Sequence, residues 1–112
     1  MVKIIQASGA RKESVARATI KDGKGKIQIN GKLLANFSDE MSRLRISEPL
    51  VLSGDLIKKV NISVRVNGGG INGQSDAVRL SIARALVEYD KKLKKVFDDY
   101  DRLLLVADVR RK

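Results

Sequence analysis

Gly68, Gly69, Gly70 and Gly73 stand directly ahead of Gln74, Ser75 and Asp76, and Arg79 follows in the stretch VNGGGINGQSDAVR. This set offers bare main-chain amides, uncharged hydrogen-bonding side chains and a guanidinium to one ligand. Glycine reaches positive φ without steric cost and admits a second group close to the backbone, while it weakens any regular element around it. Where a helix begins after such a turn, its unpaired N–H groups and its dipole favour negative charge, so the chemistry on offer is anion binding. Gly68, Gly70 and Gly73 satisfy G-x-G-x-x-G, yet no acidic ribose ligand follows near the expected distance. No Gly-Lys-Ser/Thr closes a mononucleotide loop either. The combination suits a phosphodiester backbone, and the plain alternative is a tight crossover between strand and helix.

A second candidate is the basic segment Ser8-Gly9-Ala10-Arg11-Lys12-Glu13-Ser14, read as a loop joining two strands. Lys24 and Lys26 flank a further turn and carry a weaker signal. Lys91, Lys92, Lys94 and Lys95 alternate with Leu93, Val96 and Phe97, which makes them the wet face of an amphipathic helix.

Composition narrows the function classes. The 112 residues contain no cysteine and no histidine, which removes disulfides, thiolate metal sites and the commonest general base and zinc ligand. No catalytic constellation, metal site or cofactor is expected. Against 13 acidic residues stand 23 Lys+Arg, a formal +10, and such a field attracts polyanions, nucleic acid first. No apolar run reaches the ~20 residues of a membrane span and the N-terminus lacks a signal-peptide pattern, so the chain is expected to be cytoplasmic, with no membrane partner. Length implies one domain over residues 1–112.

The positioning elements follow an α+β pattern. Val2 to Ser8 reads as a strand ending at the turn pair Ser8-Gly9. From Glu13 a second strand alternates Ala16, Ala18 and Ile20 on one face with Val15, Arg17 and Thr19 on the other. Asp22-Gly23-Lys24-Gly25 predicts a hairpin turn, with Lys26 to Asn30 returning and Ile27 and Ile29 inward. Leu33, Leu34 and Phe37 suggest a short helix. Ser38-Asp39-Glu40 opens another, which Ser47 and Pro49 should limit to about two turns. Lys58 to Asn67 is the clearest strand, burying Val60, Ile62, Val64 and Val66. Ser75-Asp76 is expected to cap a long helix carrying Val78, Ile82, Ala85, Leu86 and Tyr89 on its buried face, with Arg79 and Arg84 elsewhere. Leu103 to Val106 adds a final strand before the basic end Arg110-Arg111-Lys112.

Taken in order, SGARKESVARA, INGK, EPL and GGGINGQSDAVRLSIARAL resemble ribosomal protein nine of the small subunit, over essentially the whole chain and closer to its archaeal and eukaryotic branch. The resemblance implies a two-layer α/β sandwich like the second domain of ribosomal protein five, with about four strands and helices on one face. It implies a structural protein of the subunit head that binds small-subunit rRNA beside neighbouring head proteins. By position the rRNA-binding residues are Arg11, Lys12, Arg17, Gly68, Gly69, Gly70, Gly73, Gln74, Arg79 and Arg84, joined by Arg110, Arg111 and Lys112. Family members usually continue into a basic tail that reaches the peptidyl-site transfer RNA; the chain stops at Lys112, which sets that contact in doubt.

Spread cations and close-approach glycines fit recognition of RNA through phosphates, hydroxyls and shape. Stacking on exposed rings is not expected, since Phe37, Tyr89 and Phe97 look like core residues. The rival reading is a small nucleotide-binding enzyme that uses the Gly68–Gly73 loop as a phosphate cradle and Asp76 or a nearby carboxylate to hold magnesium, an analogy of fold. A partner-binding module without RNA leaves +10 unexplained.

Overall fold

The computed structural model describes residues 4–11, 13–33 and 40–100. Five strands form one sheet: β1 (Ile4–Arg11), β2 (Ser14–Asp22), β3 (Ile27–Ile29), β4 (Lys32–Leu33) and β5 (Val60–Asn67), in the spatial order β1-β2-β5-β3-β4. The β1/β2, β2/β5 and β3/β4 pairs are antiparallel, and β3 runs parallel to β5. Three helices, α1 (Glu40–Leu52), α2 (Ile71–Tyr89) and α3 (Leu93–Tyr100), complete the described fold with a 3-10 helix at Gly54–Lys59. The α+β reading holds, with the two-residue β4 added to about four strands.

Period-two alternation decides the core. Ala16, Ala18 and Ile20 of β2 and Val60, Ile62, Val64 and Val66 of β5 turn to one side, where α2 covers them with Val78, Ile82, Ala85 and Leu86. Ile46 and Leu50 of α1 and Leu93 and Phe97 of α3 close the same core. The small Ala16 and Ala18 let α2 lie close to the sheet. Gly9 takes this further, because a Cβ there would lie 2.9 Å from the Leu80 Cγ and from the Ser81 amide nitrogen of α2.

Four local expectations change. β1 continues past Ser8-Gly9 to Arg11, because Gly9 is needed against α2 rather than for a turn. The Asp22–Gly25 segment is no hairpin: β5 fills the slot between β2 and β3, and its Asn61 Oδ1 accepts the N–H groups of Lys24 and Lys26, each at 3.0 Å. A local turn signal marks where the chain bends and not which strand lies alongside. Leu33 belongs to β4 and is exposed, while Leu34 and Phe37 fall outside the described residues. Last, α1 runs thirteen residues through Pro49. An interior proline disfavours a helix by about 3 kcal/mol, but here the ring is fully buried in the core and the helix closes beyond it, Ser53 N–H donating to the Pro49 carbonyl at 3.1 Å.

Candidate nucleic-acid interface

The two candidate segments, far apart in sequence, meet at one end of the sheet. The register Val15↔Asn67 sets the exit of β5 beside the entry of β2. Ser14 Oγ donates to the Gly68 carbonyl at 2.8 Å, and Gln74 Nε2 donates to the same oxygen at 3.1 Å. The end of the β1–β2 hairpin and the glycine turn thus form one surface.

The glycines of that turn differ in what the fold asks of them. Gly68 (φ 83°) and Gly69 (φ 60°) occupy left-handed backbone, and a Cβ on Gly68 would stand 2.6 Å from the Glu13 carbonyl oxygen. Gly73 is buried in the first turn of α2. Gly70 differs: its φ of −103° suits any residue and a Cβ would meet nothing within 4 Å. The fold makes no steric or positive-φ demand for glycine at that position, only the mild preference of a helix N-cap.

Gly70 is also the residue that caps the start of α2, five positions before the expected cap at Ser75. No side chain caps it, and the amides of the first turn have no intrahelical acceptors. Ser75 and Asp76 lie inside the helix and are buried; Asp76 Oδ1 accepts from Arg45 Nη1 at 2.9 Å. That ion pair ties α2 to α1 and occupies the carboxylate that the enzyme reading assigned to magnesium. Among the described residues no three metal-ligating side chains converge.

The candidate cations differ in placement. Arg79 is 15% exposed and reaches Glu48 Oε1 of α1 through Nε at 3.0 Å and Nη2 at 2.6 Å. Arg84 donates from Nη1 to the Ser8 carbonyl at 3.0 Å, tethering α2 to β1 at a groove of about 350 Å³ that Lys94 also lines. Arg17 is exposed on the opposite face of the sheet, directly across from Arg65. The alternation of β5 sets Arg65 on the polar face with Asn61, Ser63 and Asn67 but does not mark it as an RNA-binding residue; what was missing is the register that pairs it with Arg17. The main chain of Arg11 ends β1, while Lys12 and the terminal Arg110, Arg111 and Lys112 lie outside the described residues, as does the Leu103–Val106 segment. The lysines Lys91, Lys92, Lys94 and Lys95 are exposed around α3, as its amphipathic pattern requires. No described helix is long and apolar enough to cross a membrane.

Known proteins place the chain. A family model described as ribosomal protein S9/S16 matches residues 9–112. Among curated relatives, a small ribosomal subunit protein uS9 from Methanothrix thermoacetophila is 41% identical across 99% of this chain and 86% of its own length. Proteins of the same name from Pyrobaculum aerophilum and Desulfurococcus amylolyticus are 45% and 46% identical, each over 97% of this chain and over 78% and 79% of their own lengths.

Proposed function

The chain belongs to the ribosomal protein S9/S16 family, and from that premise we propose how it serves the small subunit: it docks on rRNA through the surface where the β1–β2 hairpin end meets the glycine turn. As a family member it is a structural protein of the small ribosomal subunit and not an enzyme, and it binds rRNA among other ribosomal proteins. The finer reading places it in the subunit head, in the cytoplasm, as one globular domain over residues 1–112 beside neighbouring head proteins.

Gly70 carries the proposal. Its glycine is unexplained by backbone conformation or by packing, and it sits at an uncapped helix start in a protein of formal charge +10. Close approach of a phosphate to main-chain amides supplies the missing reason. In this reading Gly68, Gly69 and Gly73 shape the turn, and Gln74 fixes it through the Gly68 carbonyl. At this surface Arg11, Lys12 and Arg84 supply charge to phosphates, with Arg110, Arg111 and Lys112 adding to it, while Arg17 supplies its charge from the opposite face of the sheet. Arg79 holds α1 against α2 behind them.

The experiment is a salt titration of binding to folded small-subunit rRNA, with the Gly70→Val variant beside the wild type. Tight, fragment-selective binding with a slope set by several phosphates is expected, and Gly70→Val should weaken it by far more than the roughly 1 kcal/mol of stability that a poorer N-cap costs. Wild-type protein that binds no rRNA fragment selectively overturns the proposal.

A further inference from the structure

The helices cover one face of the sheet and leave the other without a described element. On that open face Arg17 of β2 lies directly opposite Arg65 of β5. Directly paired positions bring Cβ atoms within about 5 Å, and like charges at that range disfavour the isolated fold. Among the described residues neither guanidinium has a carboxylate partner. The alternation of β1, β2, β3 and β5 places no acidic side chain on this face.

The row beside the arginines is Thr19 opposite Ser63, and the next is Lys21 opposite Asn61. Lys21, Lys26, Thr19 and Ser63 line one groove of about 410 Å³. Lys21 stands four residues along β2 from Arg17, so the cations span about 13 Å of the strand. Two hydroxyls in the middle and cations at both ends match a sugar–phosphate backbone. The described rings, Tyr89 and Phe97, lie on the helix side, so no stacking platform for unpaired bases is present on this face among the described residues.

We propose that the open face of the sheet, centred on the Arg17–Arg65 pair, is a second RNA-docking surface that takes the backbone of helical RNA. The proposal rests on the rRNA-binding reading and extends it beyond the glycine turn. Phosphates relieve the repulsion of the arginine pair, while the Thr19 and Ser63 hydroxyls meet ribose 2′-hydroxyls, the groups that distinguish RNA from DNA.

The test compares wild-type protein with the double variant Arg17→Gln/Arg65→Gln, using folded small-subunit rRNA and a plain RNA duplex as probes at several salt concentrations. The double variant should lower the salt slope by about two and weaken binding about tenfold or more, with an unchanged or raised melting temperature as repulsion is removed. Thr19→Ala/Ser63→Ala should narrow the preference for an RNA duplex over a DNA duplex. Wild-type binding with a slope unaltered in the arginine variant overturns this proposal alone and leaves the glycine-turn surface standing, as does recovery of the face in contact with an acidic protein segment. Failure of the wild type to bind rRNA removes both.

Discussion

Arg79 and Glu48 join α2 to α1 through two hydrogen bonds to a single carboxylate oxygen, at 3.0 and 2.6 Å. The guanidinium is mostly buried, whereas the carboxylate is more open. Arginine suits the position because its planar fork delivers two N–H groups in fixed geometry, which an ammonium lacks.

Arg79→Ala should therefore act on stability first. Loss of hydrogen bonds to a charged group costs about 1.5–3 kcal/mol, and the partial exposure of Glu48 puts the expected effect toward the lower end. Urea denaturation of Arg79→Ala, Glu48→Gln and the double variant measures their coupling. The slope of RNA binding with salt should change little; a drop of about one with full stability retained would assign Arg79 to a phosphate instead.

Asn30 should be hard to replace. Its Nδ2 donates to the Val66 carbonyl at 3.0 Å, its Oδ1 accepts from the Val66 amide at 2.9 Å, and its backbone sits at φ 53°. The side chain extends the β3 edge along β5 where the main chain has already turned. Asn30→Ala removes both bonds and keeps the left-handed residue, for a loss of about 2–3 kcal/mol by thermal or chemical unfolding. Asn30→Gly, which relieves the backbone alone, should lose less.

The glycine turn divides under single substitution. Gly68→Ala must hold a side chain at positive φ against the Glu13 carbonyl and should destabilise by about 2 kcal/mol or more. Gly70→Ala should cost only about 0.5–1 kcal/mol, the loss of a favoured N-cap residue. Equal losses at both positions would place the need for glycine in the fold alone.

Tyr89 gives a pH signature. Its hydroxyl donates to Asp22 Oδ1 at 2.8 Å, and that bond, then partial burial and the nearby negative charge, raise the phenol above its ordinary range. The neutral phenol is the form that donates, so its folded-state pKa exceeds the unfolded one. The stabilisation is complete below the unfolded value near 10 and is lost as pH rises through the folded value. Ultraviolet titration should find this tyrosine ionising late, and Asp22→Asn should bring it down. Tyr89→Phe should lower stability at neutral pH by about 0.5–1 kcal/mol, with the difference vanishing in alkali.

The alternating faces of β2 and β5, the buried stripe of α2, the wet lysines of α3 and the polyanion-seeking charge were all legible along the chain. Each depends on periodicity or summed charge, which are properties of neighbours along the chain. That β5 enters between β2 and β3, that Gly9 serves helix packing and that α1 continues through Pro49 emerged from packing, because all three depend on which distant group fills a space. The same holds at the interface. The glycine run was visible in the sequence, but the separation of Gly70 from Gly68 required the position of the Glu13 carbonyl. Arg79 and Arg17 look alike as residue types; one is turned inward by Glu48 and the other is set across from Arg65 by strand register, a pairing that no local pattern encodes.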